Sequence, residues 1–292
     1  RNLKRALSLA LAAIMLIGMM VVSASAASYN DLTDKDQIVN KDAVSMLVSL
    51  GIIEGKPDGS YGPTENVDRA QMAKMLSVIM NKGVDNSALY QSVNSGLTDI
   101  TSNWAKGHIN YCYTTGIIAG RGNGKFDPSA TVTALEAAKM LLVAVGYDPA
   151  IEGFEGADWA INVSVRADEQ GIFEGFTKDL SAPLNRDDAA LLIYNALDVE
   201  MIQSYTTNNY PIAYSDHRTI LADKYGVIKV QGVVVANEWA SLASDDGDAA
   251  LKEGKTTIYN GEGIFSTTGN TTVSKEDASL KTQTFNVSTP VD

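Results

Sequence analysis

Three stretches of the chain place apolar residues at i, i+3, i+4 and i+7: Met72, Met75, Leu76 and Ile79; Ala137, Met140, Leu141 and Ala144; Ala189, Leu192, Ile193 and Ala196. That spacing gathers them on one face of a helix and predicts a buried stripe in each. A capping residue precedes each stripe, with a partner three positions on: Asp68 with Gln71, Thr133 with Glu136 and, in a weaker version, Asn185 with Asp188. This is the N-cap and N3 spacing of a helix start. A shorter helix is predicted upstream of each. In the middle one, Trp104, Ile109, Cys112 and Tyr113 fall along one side at turn-like spacings. Gly51, Gly116 and Gly171 close these first helices, since glycine takes a left-handed conformation at little cost. An apolar pair, a second glycine and a reversal such as Lys56-Pro57-Asp58-Gly59 or Gly122-Asn123-Gly124 follow, then an aromatic (Tyr61, Phe126) and a proline (Pro63, Pro128).

The units are copies of one another. Displaced by 65 residues, Leu32-Thr33-Asp34 falls on Leu97-Thr98-Asp99, Gly51–Gly55 on Gly116–Gly120, Asp58–Pro63 on Asn123–Pro128, and Ala73-Lys74-Met75-Leu76 on Ala138-Lys139-Met140-Leu141. Displaced by a further 55, Trp104-Ala105 falls on Trp159-Ala160 and Gly116–Gly120 on Gly171–Gly175. A unit of two helices buries too little apolar surface alone, so the three are expected to pack on one another. The boundaries read as 28–86, 95–148 and 149–202. Beyond them Thr, Val, Gly and Asn become common. A linker is expected over 203–211, then a small β-rich domain over 212–292, with strands at Gly226–Val235, Thr256–Tyr259, Gly263–Ser266 and Thr282–Val287. The predicted class is therefore mainly α, three tandem two-helix repeats followed by a small β domain.

The N-terminus has a different character. Arg1, Lys4 and Arg5 precede an uncharged run from Ala6 to Val22 and then Ala24-Ser25-Ala26. These are the three parts of a secretory signal peptide, expected over 1–26. The run is somewhat short of the ~20 residues a spanning helix prefers.

Charge and composition then narrow the function. A net charge of −12 argues against a nucleic-acid partner, which needs a basic patch, and against an anionic membrane surface. Two histidines and one cysteine cannot build a zinc site of the usual kind or a disulfide within the chain. No cofactor is expected. No nucleophile elbow and no phosphate loop is present, and His108 and His217 lack a Ser or Cys partner at recognisable spacing, so the chain reads as non-catalytic.

The ordered set of Leu97-Thr98-Asp99, Trp104, Gly116–Gly120, Asn123–Pro128 and Asp68-Arg69-Ala70-Gln71 resembles the S-layer homology domain, over about residues 28 to 202. The resemblance implies a pseudo-three-fold arrangement of three units and binding of a secondary wall polysaccharide, often bearing a ketal-linked pyruvate, in grooves between units. Some relatives take modified peptidoglycan instead. It also implies a secreted protein held at the cell wall, with self-association in a surface layer as a further partner. Carried over by position, the glycan-binding residues become Arg69, Arg186, Asp34, Asp99, Trp104 and Trp159.

The chemistry is reasonable on its own terms. A pyruvyl group offers a carboxylate that an arginine fork binds bidentately. Arg69 and Arg186 follow the N-cap, where free backbone N–H groups and the helix dipole would reinforce an anion site. An indole offers a flat apolar face to a sugar ring, and a carboxylate accepts bonds from sugar hydroxyls. The copies also depart from the pattern: Ala134 replaces the arginine in the second, with Arg121 as a substitute, and Val39 replaces the tryptophan in the first. Phe154 stands at the early aspartate position of the third. Two of three grooves are thus expected to be competent. Ordinary structural uses compete at each residue: a core aromatic for the tryptophans, a surface ion pair for the arginines, a helix cap for the aspartates.

Three functions follow. The favoured one is a non-catalytic anchor of a surface protein. Another is the tether of an exported polysaccharide-degrading enzyme, which a paired-carboxylate cleft beyond the repeats would favour. The third is an envelope-spanning protein whose repeats grip peptidoglycan ahead of a membrane barrel, which would require alternating strands of about 10 residues in even number.

Overall fold

The computed structural model describes residues 28–227, 233–239, 241, 251–259 and 282–286. The expected leader and the expected strand at Gly263–Ser266 lie outside the described residues.

Three helix pairs form the body: α1 (Lys41–Ser49) with α2 (Arg69–Met80), α3 (Lys106–Thr114) with α4 (Ala134–Val145), and α5 (Trp159–Glu169) with α6 (Arg186–Ala196). The predicted caps hold. Asp68 and Thr133 each make a full capping box with Gln71 and Glu136. Asn185 accepts from the Asp188 N–H without a return bond, the weaker arrangement expected when the N3 side chain is a short carboxylate. Gly51, Gly116 and Gly171 close the first helices at φ of 70, 80 and 69°. The stripes are buried, except that Met75 is only partly so.

The packing does not keep each pair to itself. α3 lies on α2, α5 on α4, and α1 on α6, so every first helix rests on the second helix of the preceding pair. The last of these contacts closes a circle. α1 even takes its cap from α6: the Asp187 carboxylate accepts the N–H groups of Val39 and Asn40, both at 3.2 Å, while the Asn40 side chain caps nothing. At the centre, the residues just before the three caps bond in a ring. Val67 N–H donates to Leu184 O (2.9 Å), Leu184 N–H to Val132 O (2.8 Å) and Val132 N–H to Val67 O (2.9 Å). All three side chains are buried, as are Tyr61, Phe126 and Phe154, in one core continuous across the pairs.

The stretch expected as a linker is instead a hairpin. β1 (Ile202–Tyr205) pairs antiparallel with β2 (Pro211–Ala213). A short helix, α7 (Ile220–Tyr225), follows and docks on the body: Ile220 and Leu221 are buried, and the Tyr225 hydroxyl donates to Ile79 O at 3.2 Å. The helical body therefore runs further than the repeats predict, because these apolar residues cover the ends of α2 and α6. Beyond it β3 (Val233–Ala236), β4 (Lys255–Tyr259) and β5 (Thr282–Asn286) make an antiparallel sheet in that order. β4 and β5 lie close to two expected strands, whereas of Gly226–Val235 only the last three residues fall in β3, Gly226 closes α7, and 228–232 lie outside the described residues. No described helix is long and apolar enough to cross a membrane.

Candidate functional site

Each second helix starts beside the turn of the following pair, and this carries its first residue into that pair's territory. Arg69, at the head of α2, is buried; its Nε donates to Phe126 O and its Nη2 to Ala119 O, both at 2.8 Å, with the guanidinium 4.3 Å above the Phe126 ring. Burial, helped by nearby Arg121, lowers its pKa to about 10, so it remains a cation at neutral pH. Arg186, at the head of α6, repeats the arrangement on the first pair. Its Nε donates to Tyr61 O at 2.8 Å and it lies 4.7 Å above the Tyr61 ring.

Two grooves result. The first joins Arg186, the Ile52–Lys56 loop, Lys74 and Met75 of α2, and Trp104 in a cavity of about 200 Å³. The second joins Arg69, the Ala119–Arg121 loop, Lys139 and Met140 of α4, and Trp159 in about 350 Å³. By position most of the lining corresponds, Lys56 with Arg121, Gln71 with Glu136, Lys74 with Lys139, Met75 with Met140 and Trp104 with Trp159, while the second groove adds Phe154, Glu155 and Gly156. Each takes its arginine from the preceding unit, its loop and lysine from its own, and its tryptophan from the next. The carry-over from the family pattern supplied the arginines and tryptophans. Lys74, Lys139 and the two methionines were missed as groove residues, although the 65-residue match of Ala73–Leu76 onto Ala138–Leu141 marked a polar position kept inside an apolar stripe.

The electrostatics of the two differ. In the second, Arg121 pairs with Glu136 at 2.6 Å, where the first has Gln71. Lys139 donates to Phe154 O at 2.5 Å and lies 5.8 Å over the Trp159 ring; burial holds its pKa below the usual lysine range. In the first, Lys74 pairs with Glu54 at 2.9 Å and Lys56 with Glu65.

Several sequence expectations land elsewhere. Asp34 lines neither groove; its carboxylate accepts the N–H groups of Tyr61 (2.7 Å) and Gly62 (2.8 Å). Asp99 does the same for Phe126 (2.9 Å) and Asp127 (2.8 Å). Burial opposes their charge, but these bonds outweigh it and hold both carboxyls below the ordinary range. They shape the turns under the arginines and cap no helix. The helix-start N–H groups are not free to bind an anion either. Those of Arg69 and Ala70 donate to Ala130 O and Pro128 O, and those of Arg186 and Asp187 to Glu65 O and Pro63 O. Arg121 does not replace the arginine missing at Ala134. It lines the groove that already holds Arg69, whereas Ala134 heads a helix start where Leu135 N–H donates to Leu180 O of the third pair. That third junction has Leu191 and Phe176 where the other two have lysine and a loop cation, and Val39 where they have tryptophan. Trp104 precedes α3 and is 58% exposed, off the buried side of that helix, while Trp159 is half-buried.

Residues 28–73 and 96–138 match the S-layer homology domain. Those two segments, on the first and second helix pairs, are similar to that domain. They hold Arg69, Arg121 and Trp104; Arg186 and Trp159 fall outside the matched residues, on the third helix pair. Among similar proteins, a cell surface protein of Thermoanaerobacter kivui is 27% identical over 91% of this chain and 32% of its own length. An S-layer protein of Bacillus licheniformis is 33% identical over 39% of this chain and 12% of its own. An amylopullulanase of Thermoanaerobacterium thermosulfurigenes is 30% identical over 59% and 10%. The chain thus spans a third or less of the length of these curated relatives.

Proposed function

We propose that the two grooves bind an acidic wall polysaccharide, with a ketal-linked pyruvate as the favoured group, and so fasten an exported protein non-covalently to the cell wall. The chain is a cell-surface protein, and wall attachment is the part of this reading that the matched segments carry. The observation behind the finer part is the recurrence, in two grooves, of an arginine, a lysine and an indole brought together from three successive units. Arginine and lysine supply charge for a carboxylate, and the indole an apolar face for the ring that bears it. Asp34 and Asp99 act through the turns they hold. We take the units to form a pseudo-three-fold body over 28–86, 95–148 and 149–202, a reading supported by the circular helix packing and the Val67–Leu184–Val132 ring. The third junction is taken as structural.

The test is co-sedimentation of the protein with purified wall sacculi, before and after mild acid has removed pyruvyl groups. Binding should fall strongly after removal. Arg69→Ala with Arg186→Ala should weaken it by roughly 2–5 kcal/mol in total, the scale of charged-pair truncation at interfaces. Unchanged sedimentation of the folded double variant would refute the site. The similarity to an amylopullulanase and to an exoglucanase of Acetivibrio thermocellus keeps a second reading, the tether of a polysaccharide-degrading enzyme. Hydrolysis of soluble starch or xylan by the full-length protein would establish it. The groove chemistry is common to both.

A further inference from the structure

The two groove tryptophans stand on different supports. Four residues after Trp104 comes His108, buried, with its ring 6.3 Å from the indole at an interplanar angle of 65°. Four residues after Trp159 comes Val163, and at the matching place in the first unit Ala43, both buried and apolar. His108 is held from two other sides. Its Nδ1 is 2.6 Å from the Ser77 hydroxyl of α2, and its Nε2 is 3.6 Å from the Asp85 carboxylate in the loop after α2. The Ser77 hydroxyl is also 3.0 Å from Lys74 O, and Lys74 lines the first groove. The imidazole therefore stands edge-on to the indole and is linked, through the Ser77 hydroxyl, to the backbone that carries the groove lysine.

We infer that His108 is the positioning residue for Trp104, and that its protonation state sets how the first groove presents its indole, while the second groove has no such control. The charged groups that face His108 are Asp85, which favours the imidazolium, and Lys74, which disfavours it. The Ser87–Tyr90 turn packed on the same helix brings only Tyr90, whose ring lies on Tyr111. Burial comes first among these influences and keeps the imidazole neutral at neutral pH, its pKa below the usual histidine value. The network accepts a proton without rearrangement. Nδ1–H donates to the Ser77 oxygen while the Ser77 hydroxyl donates to Lys74 O, and Nε2–H turns to Asp85. Protonation then places a positive charge at the edge contact with Trp104, ring centres 6.3 Å apart, and adds positive charge beneath the groove.

The experiment uses the full chain. The indole N–H resonances of Trp104 and Trp159 and the ring resonances of His108 are followed by NMR from pH 8 down to 4.5. The Trp104 resonance should titrate with the His108 midpoint, below pH 6.5, and the Trp159 resonance should not follow it. In His108→Gln, which keeps a polar side chain that cannot titrate, the Trp104 shift at that midpoint should vanish. A Trp104 resonance that ignores His108, or that titrates alike in His108→Gln, overturns the inference. A second arm rests on the glycan reading. A methyl hexopyranoside carrying a 4,6-linked pyruvate ketal is titrated into Arg69→Ala, which isolates the first groove, and into Arg186→Ala, which isolates the second. Its carboxylate, with a pKa below about 4, stays ionised. Affinity in the first groove should rise about threefold on crossing the His108 midpoint, the scale of one more positive charge acting on the ligand carboxylate through a partly screened groove, and in the second it should hold level. An unchanged first groove overturns the inference. If neither groove takes the probe, the glycan reading fails, and the NMR arm still decides the coupling.

Discussion

At the residue scale, the two grooves differ most simply at one position. Gln71 and Glu136 are both N3 partners in capping boxes, so both close their helix starts. Only Glu136 also engages a groove cation, Arg121, and that pair leaves less positive charge for a ligand. Glu136→Gln should keep the cap, as Gln71 does, and release Arg121. Melting temperature should stay within the shift expected for about 0.5 kcal/mol, and the pyruvate-ketal hexoside should bind the second groove several-fold more tightly. Calorimetry on Arg186→Ala with and without Glu136→Gln measures it, and equal affinities would show that the ion pair does not limit the groove. Asp34 and Asp99 belong to a different balance. Their folded pKa values lie below the unfolded value near 3.8, so the unfolded chain binds protons first as pH falls. Their contribution is full above that value and disappears as pH drops through the folded pKa. His108 works at higher pH. Its folded pKa is depressed, so acidification below about 6.5 favours the unfolded chain. Thermal melts of the protein and of His108→Gln across pH 4.5–8 should diverge below that point, the variant losing less. Parallel curves would show that His108 protonates equally in both states.

At the scale of elements, the pattern of apolar positions was enough to place all three second helices and their caps. Pairing was not legible, because a stripe at i, i+3, i+4 and i+7 says which face is buried and not which helix covers it. Trp104 shows the cost of periodicity alone. It shares a spacing with Ile109 and Cys112 yet stands before α3 and faces solvent. The exchange of arginines between units was hidden for the same reason, and it is why Arg121 looked like a replacement for a residue that serves another junction. The hairpin at β1–β2 was missed because Asn209 and Pro211 are turn residues in a linker and in a hairpin alike. The helix-closing glycines can be tested directly. Gly116 has φ of 80°, and a Cβ there would meet nothing within 4 Å. Gly116→Ala should therefore cost only the left-handed backbone strain, about 1–2 kcal/mol, and Gly116→Asn less. Urea unfolding gives both numbers, and an alanine variant as stable as the parent would mean that the turn relaxes out of the left-handed region.

At the scale of the whole molecule, the circular packing carries a thermodynamic consequence. In an open array of repeats each unit contacts only its neighbours, and an end unit can fray alone. Here the ends meet. α1 rests on α6 and is capped by Asp187, the Val67–Leu184–Val132 ring needs all three units, and α7 ties Leu221 N–H to Leu197 O beside the Tyr225 contact with α2. Loss of any unit exposes the buried faces of the other two, so the body should unfold in one transition. Trp104 and Trp159 lie in different units and report on the claim separately. With Trp239 and one of the pair replaced by phenylalanine, urea curves followed through the remaining indole should share one midpoint and one slope. Asp187→Ala removes the acceptor for two N–H groups at the closing contact, at a cost of about 1–3 kcal/mol for the groups left unpaired, and should move both curves together. A shift at Trp104 alone would show that the first unit can leave the ring on its own, and then neither groove could be treated as a rigid meeting point of three units.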